Sequence, residues 1–371
     1  MKILIANWQD LRNPQAGGAE VHLFELFSRL AARGHEIQLV CSGFDGAAPT
    51  ELVNGIDVHR HGDRHSFALV SRGGIKRAVH EFGPDVVVDD INKLPLCTPM
   101  LTSQPVYAIV PHLFGTTAFN EVSWPMASMV WLAERAIPSV YRRARFHAIS
   151  DSTRDDLILR GIPAERISVV YPGVDTDHFC PDPAFPRSTP PRFAYIGRLK
   201  RYKGVEHLIT ALAIARRERP ELSLDIAGSG DDRPRLESLA RDAGQANAVR
   251  FLGFVDGATR LRLLRESVAN VFPSPKEGWG ITVMEAAACG TPSLASNSPG
   301  LRDSVKDGRT GILVPHGDPA VMAREMLHLA ADPVLVERLG AAARSWAEQL
   351  SWDAAADTVE GHLKELHAAL S

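Results

Sequence analysis

The sequence predicts an α/β protein made of two doubly wound parallel sheets. Three observations lead there: short β-branched runs alternate with amphipathic segments, the alternation halts once and restarts, and 371 residues exceed one ordinary domain. In the first half the strand candidates are 3–6, 36–41, 55–60, 85–89, 106–110, 146–149 and 167–171. Between the first two, residues 20–33 put Val21, Phe24, Phe27, Leu30 and Ala31 on one helical stripe, with Gly34 where a C-terminal cap belongs. Residues 182–192 hold four prolines in eleven positions, which excludes helix or central strand and reads as an interdomain linker. The pattern then resumes with strands 193–196, 223–227, 249–252, 268–272 and 293–295, and helices 204–217, 233–243, 258–265 and 281–289. Helices close the chain. The tail, 351–369, has Ser351 at a capping position and Ala355, Val359, Leu363 and Leu366 at helical spacing.

Composition excludes several classes of function. Apolar residues make up 45% and charged residues 23%, too apolar for a disordered chain and too varied for a coiled coil. Forty-one Lys and Arg against 44 Asp and Glu leave a net charge of −3, so no global positive field draws nucleic acid or an anionic membrane, and any basic site is local. Cys41, Cys97, Cys180 and Cys289 form no CxxC pair, which speaks against a disulfide framework or zinc knuckle and for a reducing cytoplasm. The apolar run after Met1-Lys2 is only four residues, short for a signal peptide, and no stretch reaches the roughly 18 apolar residues of a membrane span. The expectation is a soluble cytoplasmic protein, with attachment to the inner face of the membrane left open.

Three loops carry candidate chemistry. The first βα loop ends in Gly17-Gly18-Ala19-Glu20, where bare backbone at a helix start makes an anion site or simply a flexible turn. The dinucleotide fingerprint GxGxxG is absent there and also at 228–233, where Gly228-Ser229-Gly230 is followed by Arg233 in the third glycine position. After the strand at 193–196 comes Gly197-Arg198-Leu199-Lys200-Arg201-Tyr202-Lys203-Gly204. In it Arg198 offers a planar fork for phosphate oxygens and Lys203 a compact charge beside a helix N-terminus; a solvated basic loop is the plainer reading. The most informative segment is Glu277-Gly278-Trp279-Gly280-Ile281 with Glu285 at i+8: two carboxylates for paired hydroxyls, and a Gly-x-Gly hinge with exposed amides for phosphate. Helix-dipole charges alone would explain the acids but neither the glycines nor Trp279.

At these residues the sequence resembles the retaining nucleotide-sugar glycosyltransferases of family four, which have the GT-B fold of two facing Rossmann-like domains and an interdomain cleft. The motifs occur in order over nearly the whole chain: Gly17-Gly18, His112 after Val110-Pro111, Ser150-Asp151-Ser152-Thr153, Tyr171-Pro172-Gly173-Val174-Asp175, Gly197-Arg198 with Lys203-Gly204, and the Glu-x7-Glu pair Glu277 and Glu285. The resemblance implies an acceptor-side domain at 1–185, onto which the helix at 351–371 packs back, and a donor domain at 190–350. It implies that Arg198 and Lys203 hold the donor diphosphate, with Gly17 and Gly18 supplying backbone from the other domain. Glu277 would bind sugar hydroxyls, the amides of Trp279, Gly280 and Ile281 would lie near sugar or phosphate, and Glu285 would take the ribose diol. Backbone around Gly253 and Val255 would meet the base, and His112 would stand at the reacting face, making His112, Arg198, Lys203 and Glu277 the catalytic set. The histidine segment here is Pro111-His112-Leu113-Phe114, where relatives commonly show His-Asp or His-Gly, so a packed strand-end histidine is the competing role.

The implied reaction is retaining hexosyl transfer from a nucleotide-diphosphate sugar to a sugar, lipid-linked or small-molecule acceptor, with no metal and no cofactor beyond the UDP- or GDP-sugar substrate. GDP-mannose, UDP-glucose and UDP-N-acetylglucosamine all stay open as donors. Asp175-Thr176-Asp177 matches a short metal-binding pattern of another glycosyltransferase fold, but reads better as the loop after the last strand of the first domain. Two alternatives stand beside transfer: a non-catalytic nucleotide-sugar-binding subunit, and another GT-B enzyme such as a sugar-nucleotide epimerase or sugar phosphorylase. Finally, 124–145 carries Trp124, Met126, Met129, Val130 and Trp131 before Tyr141-Arg142-Arg143-Ala144-Arg145. This reads first as a core-packed helix with a solvated end, interrupted by Pro138, and second as a face for anionic lipid.

Overall fold

A computed structural model describes residues 1–120 and 123–369. Leu370 and Ser371, the end of the expected tail helix, lie outside the described residues. The chain forms two compact units, Met1–Gly173 with Trp352–Ser371, and Val174–Ser351.

The first unit comprises β1 (Lys2–Ala6), α1 (Gly18–Ala32), β2 (Glu36–Cys41), β3 (Thr50–Val53), β4 (Ile56–Arg60), α2 (Phe67–Phe82), β5 (Val86–Asp90), β6 (Val106–Val110), α3 (Trp124–Arg135), α4 (Ile137–Val140), β7 (Arg145–Ala148), α5 (Asp151–Leu159) and β8 (Ile167–Val169). Its sheet runs in the order β3-β4-β2-β1-β5-β6-β7-β8, parallel throughout except for β3 against β4. The second unit comprises β9 (Arg192–Ile196), α6 (Val205–Ala215), β10 (Ser223–Ala227), α7 (Arg233–Asp242), β11 (Val249–Gly253), α8 (Gly257–Glu266), β12 (Ala269–Phe272), α9 (Ile281–Ala288), β13 (Ser293–Ser296), α10 (Leu301–Ser304), β14 (Gly311–Val314), α11 (Pro319–Ala331) and α12 (Pro333–Ala347). Its sheet is β11-β10-β9-β12-β13-β14, all parallel. The last helix, α13 (Trp352–Ala368), belongs to the first unit. There Trp352 meets the His22 ring at 5.8 Å, Arg29 Nε donates to Asp353 at 2.7 Å, and Tyr107 and His362 share a hydrogen bond of 3.0 Å.

Both sheets are doubly wound. Strand order reverses between β1 and β5 in the first and between β9 and β12 in the second, and such reversals open a crevice at the strands' carboxyl ends. β strands with continuous apolar runs, such as Ile3–Ala6 and Val86–Val88, are buried on both faces, as parallel sheets covered by helices demand.

Two strands escape the sequence reading. β3 is short and ends at Asn54 (φ +50°) and Gly55 (φ +83°), a two-residue left-handed turn whose Asn-Gly dipeptide signals a hairpin; taking Gly55 as a strand start hid it. β14 is a four-residue edge strand beside β13. The division between units also falls at 173/174, ahead of the proline-rich stretch taken as the linker. Arginines of the second unit tie residues 176–180 down: Arg344 Nη1 donates to the carbonyls of Thr176 (3.0 Å), Phe179 (2.8 Å) and Ala288 (2.7 Å), and Arg265 Nε to that of Cys180 (2.7 Å). Arg187 adds bonds to the carbonyls of Arg265 and Ser267. Prolines exclude regular structure here, yet the stretch is stapled rather than free.

All four cysteines are unpaired. Among the described residues no helix is long and apolar enough to cross a membrane.

Candidate functional site

The second unit's reversal point gathers the strongest candidates. β9 ends at Ile196, and the loop that follows is braced by the loop after β10. Gly197 N donates to Ala227 O (3.0 Å) and Leu199 N to Ser229 O (2.9 Å). A Cβ on Gly228 would stand 1.9 Å from Gly197 O, and one on Gly230 1.9 Å from Leu199 O. The Gly-x-Gly here serves close packing of one loop backbone on another. From β9 the buried Tyr195 donates its hydroxyl to Arg198 O at 3.0 Å, fixing the loop backbone while the Arg198 side chain remains exposed. Arg198 Nη2 lies 3.3 Å from the Tyr202 hydroxyl.

Lys203 turns inward. Its Nζ donates to both Glu277 oxygens, at 2.6 and 2.7 Å, with the two side chains 12% and 13% exposed. Burial disfavours the ammonium, but the facing Glu277 carboxylate outweighs it and raises the Lys203 pKa. The structure thus joins two sequence candidates 74 residues apart. Glu277 is held by the segment after β13: its N–H donates to Pro299 O (3.0 Å), and Gly300, at φ +80°, comes so close that a Cβ would lie 2.2 Å from Glu277 O. Sequence reasoning passed over Gly300; its place in a Pro-Gly pair was the available signal.

Trp279 is buried as a whole residue, 2% exposed, and packs inside the loop. Gly280, at φ +101°, forms the left-handed cap from which α9 starts, with Ile281 as its first residue. One turn along, Glu285 is 6% exposed and accepts a hydrogen bond from Arg260 Nη2 of α8, a partner the sequence reading did not identify. Burial pushes the Glu285 carboxyl up to about 7, against the downward pull of Arg260. Gly253, at φ +71°, closes β11 and accepts from Gly228 N at 2.7 Å. The Val255 side chain packs with Ile196, Ala227 and Leu263, so what it can offer a ligand is backbone.

In the first unit, Gly17 caps α1 and Gly18 begins it, but the Gly17 N–H is already taken by Glu20 Oε2 at 2.7 Å. Glu20 belongs to a buried polar cluster at the β1/β5 reversal. Asn92 Nδ2 donates to Asn7 Oδ1 (2.9 Å) and Glu20 Oε1 (3.3 Å), and Asp90 lies 3.4 Å away. None of these four was a sequence candidate, since isolated Asn and Asp residues at strand ends carry no spacing signal. His112 follows β6, half-buried, with its ring edge-on to Phe114 at 5.0 Å. The Ser-Asp-Ser-Thr segment supports it: Ser150 caps α5, accepting from Thr153 N at 3.2 Å, and the Thr153 hydroxyl donates to Pro111 O at 2.9 Å. Asp175 is occupied locally, its Oδ1 accepting from the N–H groups of Asp177 (3.1 Å) and His178 (2.9 Å). Among the described residues no group of three His, Cys, Asp or Glu is arranged to hold a metal ion.

The core-packed reading of 124–145 holds for Ile137, Tyr141 and Ala144, which are buried, and is corrected for α3. In α3 the buried positions are Ala127 and Glu134, while Trp124 (74% exposed), Leu132 (61%), Met126 and Met129 face outward. The buried charge is fully used: Glu134 accepts from the N–H groups of Phe114 (2.6 Å) and Gly115 (2.8 Å) and pairs with Arg160 at 3.2 Å. The helix is interrupted as expected, with Pro138 in the first turn of the separate helix α4.

Comparison with known proteins matches residues 182–346 to the family of glycosyl transferases group 1 and residues 16–178 to Glycosyltransferase Family 4. A D-inositol 3-phosphate glycosyltransferase of Streptomyces scabiei is 31% identical, covering 95% of this chain and 87% of the relative. A glycogen synthase of Mycobacterium tuberculosis is 28% identical over 93% of this chain and 89% of its own. Among solved structures, sucrose-phosphate synthase from Thermosynechococcus elongatus superposes with a TM-score of 0.86 at 21% identity, covering 99% of each chain. Anabaena Alr3699/HepE in complex with UDP-glucose gives 0.79 at 18% identity, covering 98% of this chain and 100% of that one. These likenesses show a GT-B architecture of two parallel-sheet α/β domains.

Proposed function

The chain belongs to the group 1 glycosyltransferases, enzymes that transfer sugar from nucleotide sugars, and from that premise we propose that it is a retaining, metal-independent hexosyltransferase whose donor is held by the loops of the second unit. One observation carries the assignment: Lys203 and Glu277 meet at the β9/β12 reversal, 2.6 Å apart. A cation for phosphate oxygen beside a carboxylate for sugar hydroxyls matches the two groups joined by the anomeric bond of a nucleotide sugar. Exposed Arg198 adds a second cation, and Gly280 opens the start of α9 to an anion. Glu285 is assigned the ribose, the backbone at Gly253 and Val255 the base, and the amides of Trp279, Gly280 and Ile281 the sugar and phosphate.

Transfer breaks the bond from the anomeric carbon to phosphate oxygen, whose electron pair leaves with the diphosphate. Lys203 and Arg198 stabilise that charge. The acceptor oxygen bonds to the same face of the carbon, and its proton passes to the departing phosphate oxygen, which retains configuration without a protein nucleophile. The local use of Asp175 supports a metal-free site. Screening UDP-, GDP- and ADP-sugars by thermal shift and nucleoside-diphosphate release tests the proposal. The expected result is one donor that stabilises the fold and releases diphosphate when an acceptor is added, with activity persisting in EDTA. Stabilisation with no release in any acceptor would instead identify a binding subunit. Loss in EDTA with rescue by Mg²⁺ would overturn metal independence, and an isolated glycosyl-enzyme adduct would overturn same-face attack.

The outward apolar face of α3 favours a lipid-linked acceptor, reached from an anionic bilayer. Trp124, Met126, Met129 and Leu132 are exposed, with Arg135 over the Trp131 ring at 4.6 Å and exposed Arg142 and Arg143 at the same end. An apolar face edged by arginine suits an anionic bilayer, whereas a second copy of the same face would oppose arginine to arginine. Flotation with phosphatidylglycerol vesicles but not phosphatidylcholine vesicles is expected, and replacing Met129 and Leu132 together by Ser should abolish it. Failure to float with either removes this part of the proposal.

A further inference from the structure

We infer that Arg260 is a positioning residue for nucleotide recognition: from α8 it fixes the Glu285 carboxylate so that this group accepts hydrogen bonds from the vicinal hydroxyls of a ribose. The inference rests on the donor-site assignment above. Arg260 Nη2 donates to Glu285 Oε2 and lies 3.3 Å from Thr282 Oγ1 in the first turn of α9, while its guanidinium stands over the Phe179 ring at 5.8 Å. One side chain thus engages two residues of α9 and rests on Phe179, an aromatic held in place by the bond from Arg344 to its carbonyl. Such a mounting aims the carboxylate rather than merely neutralising it.

The surroundings make that job necessary. Around α9, α12 contributes Arg344, which is committed to the carbonyls of Thr176, Phe179 and Ala288. The thiol of Cys289, at the end of α9, is pushed up to about 12 by burial and is neutral. β12 and β13 face the helix with the buried Phe272 and Ala295, which cluster with Val283 of α9. Arg260 is therefore the cation that holds the Glu285 charge, and burial still leaves that carboxyl near 7. A protonated carboxyl presents one donor and fewer acceptor positions, and cannot take both hydrogens of a diol as a carboxylate does.

The test uses the full chain and calorimetric titration with UDP, GDP and ADP, and with the 2′-deoxy form of whichever binds, from about pH 6 to about pH 9. Wild type should bind the ribonucleotide more tightly as pH rises through the Glu285 transition. Arg260→Met should bind it about tenfold more weakly at neutral pH and recover toward high pH, because the unassisted carboxyl ionises later. Binding of the 2′-deoxy compound, which keeps only the 3′-hydroxyl, should fall clearly less than that of the ribonucleotide. Arg260→Lys should restore much of the loss, and Glu285→Gln, with Arg260 present, should erase the pH dependence. Equal loss for both nucleotides, or no change in Arg260→Met at any pH, overturns the positioning role. If wild type binds none of the three diphosphates, the donor site itself is wrong and the inference falls with it, an outcome distinct from unaltered binding by the variant.

Discussion

At the carboxyl end of the first sheet, Asn7, Asp10, Glu20, Asp89 and Asp90 are all buried, and Arg60 reaches Asp10 with two bonds of 2.8 and 3.1 Å. The corresponding end of the second sheet carries Arg198, Lys203 and Arg260, with Glu277 and Glu285 each held by one of these cations. One topology has thus been given opposite electrostatics. In the first unit, burial together with Glu20 and Asp89 drives the Asp90 carboxyl well above its ordinary range, and Asp89 is raised too, by burial against the bonds from Tyr141 and Thr98. In the second unit every buried carboxylate of the site has a cation at hydrogen-bond distance, and a phosphate can take over part of that positive charge. Parallel sheets place ligands at the same end whatever they bind; the side chains delivered there decide which charge is accepted.

The comparison breaks most sharply at Lys203. Lys203→Ala removes the buried cation proposed to face the leaving diphosphate, and a preorganised donor of this kind is worth about 3–4 kcal/mol, so turnover should fall by about 10²–10³-fold in a diphosphate-release assay. The orphaned Glu277 adds a repulsion toward phosphate and should raise donor KM as well. A fall of less than tenfold would mean that the second sheet's positive end does not serve the departing charge.

Most of the architecture and the candidate residues of the second unit could be read from the chain because their signals are local. Apolar runs specify parallel strands such as β1 and β5 wherever they occur, and Arg198, Lys203, Glu277 and Glu285 stand at fixed spacings beside glycines. What escaped depends on contacts between distant segments. Arg260 meets Glu285 only once α8 and α9 pack, 25 positions apart, and Glu20, Asn92 and Asn7 converge only at the β1/β5 reversal. The inverted burial of α3 was hidden for the same reason: an apolar stripe looks identical whether it faces a core or the solvent. Gly228 and Gly230 were visible, yet their role was not, since a backbone neighbour 1.9 Å from a built Cβ belongs to another loop. Gly230→Ala should therefore push the Arg198 loop, costing about 1–3 kcal/mol of stability and raising donor KM, measured by thermal unfolding and initial rates. Unchanged melting would show that the loop has room the close approach denies.

The smallest effect sharpens the acidic side of the comparison. Asp90 holds its proton in the folded chain to a higher pH than the ordinary carboxyl of the unfolded chain, whose pKa is 3.8. Between those two values the folded state binds more protons, so its stability falls as pH rises from the ordinary range through the raised one. Asparagine mimics the protonated carboxyl and cannot ionise. Asp90→Asn should therefore melt with wild type near pH 4 and a few degrees above it near pH 8, the gap opening as pH rises, as read by circular dichroism. Lys93 pulls the Asp90 carboxyl the other way. If the variant instead melts below wild type at high pH, that attraction exceeds burial and the repulsion from Glu20 and Asp89, and the first sheet's end carries a balanced ion pair like those of the second.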